Sequence, residues 1–151
     1  MVRDKRNHQY RILGEEMNTI SIDSLWIDIE NYTPDVSRTI RFIKAYSEVI
    51  NKVNEGHVFS GDEVDTDYWD YLKSYHASWR EEPISDEAYS QLKKKFFDGI
   101  NLFHDIKENG MRNPLEIRKK NGKRHLSKGN RRLVILKILG IPQARVNVID
   151  E

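Results

Sequence analysis

Apolar residues recur at helical spacing over several long stretches of the chain and alternate with polar ones over several short stretches, and these two periods outline the molecule. Thr19-Ile-Ser-Ile-Asp23 alternates, and its β-branched Ile20 and Ile22 predict a half-buried strand. After Pro34-Asp35, the positions Val36, Ile40, Ile43, Ile50 and Val53 predict a helix that closes near Asn54-Glu-Gly56. Tyr68, Tyr71, Leu72, Tyr75 and Trp79 fall three or four residues apart and predict an amphipathic helix with acidic residues on its other face. Such a stripe is read as core packing rather than as a platform for bases or sugars.

Pro83-Ile84-Ser85 has the form of a helix entry. Ser85 can cap, Asp86 and Glu87 suit the positive helix end, and Ile84 can pack onto Tyr89. Tyr89, Leu92, Phe96, Ile100, Phe103 and Ile106 continue as one apolar stripe to Asn109-Gly110, with Gly99 as the point where the helix would kink or divide. Pro114-Leu-Glu-Ile-Arg118, the Asn121-Gly122 turn and Arg124-His-Leu-Ser127 predict a hairpin or two neighbouring strands. Arg131 to Leu139 predicts a helix with Leu133, Leu136 and Ile138 or Leu139 inward, closed by Gly140 and Pro142, and Arg145-Val-Asn-Val-Ile149 a final strand. The order β, three helices, β-β, α, β describes an α+β protein, and its 151 residues suit a single domain spanning 1–151.

Composition narrows the class. With 38% hydrophobic and 10% aromatic residues, the chain has core material that a disordered one lacks. No apolar run approaches the roughly 20 residues that cross a bilayer, and Met1-Val-Arg-Asp-Lys-Arg6 leads into no apolar signal segment, so a soluble, unprocessed, cytoplasmic protein with no membrane partner is expected. The absence of Cys excludes disulfides, thiolate metal sites and thiol nucleophiles. The histidines, His8, His57, His76, His104 and His125, show no paired metal spacing, so no metal site is expected.

The net charge of +1 conceals two blocks. Residues 54–87 carry ten acidic side chains against Lys73 and Arg80, whereas residues 107–137 carry eleven basic ones against Glu108 and Glu116. A basic stretch of that density concentrates anions, which makes nucleic acid, a nucleotide or another phosphate compound the natural partner class. A solvated surface neutralised by the acidic block is the alternative.

Within the basic block, Leu126-Ser-Lys-Gly129-Asn-Arg-Arg132 places a Gly-bearing turn and two arginines at a helix start. There the first N–H groups are unpaired, Gly129 admits close backbone approach, and an Arg fork can grip phosphate oxygens. Gly129 and Asn130 would present backbone donors, Arg131 and Arg132 would hold phosphates, Lys128 would add charge, and His125 could face the ligand. An ordinary capped helix with solvated arginines satisfies the same residue types, and a strand-edge polar residue the same His125.

The ordered series Ile106-Lys-Glu-Asn-Gly110-Met-Arg-Asn-Pro114-Leu-Glu-Ile117, the Gly129-Asn130-Arg131-Arg132 box, Leu139-Gly-Ile-Pro142 and Val146-Asn-Val148 resembles the N-terminal domain of the ParB/sulfiredoxin superfamily. Ile20-Ser-Ile-Asp-Ser-Leu25 is similar to that family's first strand, and Asn31-Tyr-Thr-Pro34-Asp-Val-Ser-Arg38 loosely to its Asn-Pro box. The resemblance covers 19–43 and about 96–149; residues 45–95 or so would be a helical insertion without counterpart. It implies a small mixed sheet flanked by helices that binds a nucleoside triphosphate, ATP or CTP with Mg2+, at the Gly129 turn. Family activities range from nucleotide-dependent switches to sulfinic acid reduction, phosphorylation of free serine and proteins labelled nucleases, so fold does not fix function.

The missing Cys excludes the sulfiredoxin reaction, and partition proteins carry DNA-binding and dimerisation domains after this unit, whereas this sequence stops at Glu151. The expected function is a nucleotide-phosphate-binding domain, DNA-associated or regulatory. Two alternatives stand beside it. One is a small-molecule kinase or ATP hydrolase, in which Glu108 would take the hydroxyl proton, with Asp23 and Glu30 as weaker candidates. The other is a DNA-binding or nicking protein using the 107–137 block.

Overall fold

The computed structural model describes residues 15–32, 36–60, 66–74 and 85–150. In chain order the elements are β1 (Glu15–Ser21), α1 (Ile22–Tyr32), α2 (Val36–Asn54), α3 (Asp67–Ser74), α4 (Asp86–Asn109), β2 (Leu115–Lys120), β3 (Lys123–Lys128), α5 (Asn130–Ile138) and β4 (Gln143–Asp150). Tyr75, Trp79, His8, His76, the Pro34-Asp35 helix entry and the Ile84 packing contact lie outside the described residues. The protein is α+β, with two compact units: one from the flanking segments up to Val36 and from Met111 onward, the other Ser37–Gly110.

The first unit is built on a four-stranded mixed sheet in the order β1-β4-β2-β3. β1 runs antiparallel to β4, β4 parallel to β2, and β2 antiparallel to β3. The hairpin between β2 and β3 turns on Asn121 (φ 55) and Gly122 (φ 75). Both residues sit in the left-handed region that two-residue hairpin loops need to match strand twist. On one face of the sheet Leu115, Ile117, Ala144 and Val146 are buried, and so are Ile22, Leu25 and Ile29 of α1 and Leu133 to Leu136 of α5. Arg124 of β3 reaches α1, pairing with Asp28 and lying 3.3 Å from Ser24 Oγ. α5 ends in a tight C-cap: Gly140 (φ 73) donates to Lys137 O at 3.1 Å and Ile141 to Leu136 O at 3.0 Å.

Helix α1 departs from the sequence reading, which took Ile20–Leu25 as extended. Only Ile20 and Ser21 remain in the strand. Ile22, Leu25 and Ile29 lie at i, i+3 and i+7, so a helix buries all three at once, and Ser24 N donates to Ser21 Oγ (3.3 Å) at its start. The period-2 signal of Ile20 and Ile22 ends where this period begins.

The second unit is helical. Ser85 Oγ accepts from Ala88 N (3.1 Å), the predicted cap, and α4 then runs unbroken through Gly99. The glycine is there for packing, not for a kink. A Cβ on Gly99 would stand 3.0 Å from Tyr46 Cε1 and 3.0 Å from the Tyr68 hydroxyl oxygen, and Tyr46 Oη donates to Gly99 O at 2.6 Å. α2 crosses α4 closely at this point. Around it Phe42 stacks on Tyr46 (centroids 5.5 Å apart), Tyr68 meets Tyr46 edge-on at 5.1 Å, and Phe96 is fully buried beside Tyr68 and Trp69.

Gly99→Ala therefore has opposed effects. It gains about 1 kcal/mol of helix propensity, while overpacking two aromatic rings costs about 1 to 3 kcal/mol. Net destabilisation is expected in urea unfolding. Tyr46→Phe, which removes the hydroxyl that donates to Gly99 O but leaves that carbonyl in the α4 ladder, should lose about 0.5 to 1.5 kcal/mol. A Gly99→Ala protein more stable than the parent would show that the rings move aside.

Candidate functional site

The turn singled out by the sequence joins β3 to α5. Gly129 holds φ 115, a conformation open to glycine, and caps α5 without a side-chain hydrogen bond. The first donor inside the helix is Leu133 N, bonded to Gly129 O at 2.8 Å; the N–H groups of Asn130, Arg131 and Arg132 precede it. Lys128 and Arg131 are exposed, the Lys128 side chain at 72%, and His125 is exposed on β3. Lys128, Gly129, Asn130, Arg131 and Arg132 are contiguous at the turn, whereas His125 lies three residues back along β3, opposite Arg118. Glu108 is an exposed residue in the last turn of α4 and belongs to the helical unit. Asp23 and Glu30 are exposed residues of α1, Asp23 lying 3.2 Å from Lys137 Nζ.

Two of the turn residues also serve the fold. Arg132 Nη1 donates to Asn113 O (2.7 Å) and Pro114 O (2.9 Å), and partial burial lowers its pKa below the ordinary arginine value. Arginine titrates so high that the guanidinium stays charged at neutral pH. Its Nη2 lies over the turn, 3.1 Å from where a Cβ on Gly129 would stand, and Leu115 Cδ2 would be only 2.5 Å from that atom. Gly129 is consequently required by Leu115 and Arg132 irrespective of any ligand.

Arg145 completes this arrangement. Its Nη2 donates to Met111 O (3.2 Å) and Arg112 O (3.3 Å), so the carbonyls of four successive residues, 111 to 114, all face guanidinium donors. The connection into β2 is clamped from β4 and α5. Sequence reasoning saw Arg145 only as part of a strand; the pairing with residues some thirty positions earlier leaves no local signal.

Asn130 is different. Its Oδ1 is buried without a hydrogen-bond partner among the described residues. An unsatisfied buried acceptor costs roughly 1 to 3 kcal/mol, and no contact of the fold offsets it here. On β2, Glu116 is the nearest acid along the hairpin: it lies 3.5 Å from Arg118 and 4.0 Å from Lys128, and accepts from Ser127 Oγ at 2.7 Å.

The donors around the turn suit phosphate oxygens. No group of three or more His, Asp or Glu is placed to hold a metal ion among the described residues. A cleft of about 330 Å³ lined by Arg41, Lys44, Asp67, Asp70 and Tyr71 lies in the helical unit. Another of about 300 Å³, lined by residues including Ile117, Lys119, Arg124 and Val148, lies on the sheet; the turn lines neither. No helix among the described residues is long and apolar enough to cross a membrane. Comparison with family models, curated proteins and solved structures finds no match.

Proposed function

We propose that the sheet unit is a phosphate-binding module whose ligand is a nucleoside triphosphate held at the β3–α5 turn. One observation carries this reading: an uncapped helix start entered through a left-handed Gly129, with exposed Lys128 and Arg131 beside it and the Arg132 guanidinium folded over it. Unpaired amides at a helix N-terminus and flanking cations are the donor set that phosphate oxygens take. The resemblance to ParB/sulfiredoxin domains in the Gly129-Asn130-Arg131-Arg132 box supports ATP or CTP as the ligand, with Mg2+ to neutralise phosphate charge when bound. The amides of Asn130 to Arg132 would hold and orient the phosphates, Arg131 and Lys128 would neutralise them, and Arg132, pinned by Asn113 and Pro114, would keep the turn in shape.

Titration calorimetry of the chain with ATP and with CTP, each with Mg2+, tests the reading. Saturable heat is expected with at least one nucleotide. Arg131→Ala, which removes an exposed side chain, should weaken binding about 10- to 100-fold, the equivalent of losing a charge-assisted hydrogen bond of about 1.5 to 3 kcal/mol. Asn130→Ala should leave the unfolding midpoint unchanged or raised. Absence of heat with both nucleotides, or an Arg131→Ala titration identical to the parent, would refute the assignment.

A further inference from the structure

The eleven cations of the 107–137 block do not form one surface. Lys107 belongs to the helical unit, Arg132 is held by loop carbonyls, Arg124 is tied to Asp28, and Lys137 lies 3.2 Å from Asp23 and 5.1 Å from the Trp26 ring centroid. What remains is concentrated on the β2–β3 hairpin and its base. Residues 115–131 hold seven lysines and arginines and a single carboxylate, Glu116. Lys119, Lys120 and Arg131 are exposed and make no ion pair among the described residues, Asp150 of β4 standing opposite Lys119 in the strand register; Lys128 is 72% exposed, at 4.0 Å from Glu116.

The hairpin is a stiff carrier for these charges. Its two-residue turn is closed by Asn121 and Gly122, and β3 is the edge strand of the sheet. Six residues per strand give it a length of about 20 Å, over which the cations are spread, with the adjacent Lys119 and Lys120 on opposite faces near the tip. Charges spread over that length suit an extended, repeating anion. The large hydrophobic residues exposed among the described residues are Ile27 and Val58, neither on the hairpin, so the apolar anchor that a lipid surface would require is missing here.

We propose that the β2–β3 hairpin is a binding surface for the phosphate backbone of duplex DNA, with Lys119 and Lys120 near its tip and Lys128 and Arg131 at its base as the contacting cations. It shares Lys128 and Arg131 with the nucleotide reading of the turn and goes beyond it through Lys119 and Lys120, which take no part in that site.

Fluorescence anisotropy with a 20-base-pair duplex, titrated with the full chain between 50 and 200 mM salt, reads the proposal. Each phosphate contact adds about −0.9 to the log–log salt slope, so four contacts predict a slope of about −3.6. Lys119→Gln/Lys120→Gln should lower affinity at 50 mM salt at least tenfold and make the slope shallower by about 2. The charge-matched control Lys94→Gln/Lys95→Gln, on α4, should leave both nearly unchanged. Nucleotide heats of the hairpin variant should equal those of the parent, which separates failure of this surface from failure of the turn. Any of three outcomes overturns the proposal: no duplex binding at 50 mM salt, equal losses in both double variants, or hairpin-dependent binding to acidic lipid vesicles in place of DNA.

Discussion

Gly129→Val is expected to destabilise the sheet unit by about 3 to 5 kcal/mol, whether or not a ligand is present, from positive-φ strain and core overpacking together. Gly129 holds φ 115, where a β-branched residue is strained. A Cβ placed there would come within 2.5 Å of Leu115 Cδ2, and Leu115 is fully buried, so it has no free space to move into. The clash is already present with the first added carbon. Gly129→Ala should therefore cost nearly as much, roughly 3 kcal/mol. Urea unfolding of both variants without nucleotide is the measurement. A Gly129→Ala protein within about 0.5 kcal/mol of the parent, the usual range of a harmless surface change, would show that the glycine is not required by packing. The same reasoning makes Arg131, and not Gly129 or Arg132, the informative position for ligand binding.

Phe96→Ala should lose about 3 to 5 kcal/mol, the usual cost of removing a fully buried Phe ring. The Phe96 ring is fully buried, with centroids of Phe97 at 5.2 Å, Phe59 and Tyr68 at 5.6 Å and Trp69 at 5.9 Å. It joins α4 to α3 and to the segment after α2, so its deletion opens a cavity that rigid aromatic neighbours cannot collapse into. The loss should lie at the upper end, because edge-to-face ring pairs each add about 0.5 to 1.5 kcal/mol beyond their area. Phe96→Leu, which keeps most of the volume, should cost about half as much. Equal losses in the two variants would mean that the ring contacts contribute little beyond apolar burial.

Much of the secondary structure was legible because it depends on near neighbours. The α2 stripe from Val36 to Val53, the Ser85 cap of α4, the Asn121-Gly122 hairpin and the Gly140 helix end each express a conformational preference within a few residues of chain. Helix α1 was missed because Ile20 and Ile22 satisfy alternation on their own, while the i, i+3, i+7 pattern of Ile22, Leu25 and Ile29 matters only once a sheet is present to receive it. Gly99 was misread for a related reason. A glycine inside a helix reads as a weak point until Tyr46 and Tyr68 occupy the space of its missing side chain.

At the candidate site, composition and order along the chain were enough to bring out a cationic turn at a helix start, since both the charges and the glycine are local. Chain order alone did not reveal which cations are already engaged. That Arg132 and Arg145 hold the carbonyls of residues 111 to 114, that Arg124 is held by Asp28, and that Lys119 and Lys120 stay open to solvent follow from the strand order β1-β4-β2-β3. Pairing across tens or a hundred residues is chosen by the burial of a whole sheet face, which no short window of sequence contains.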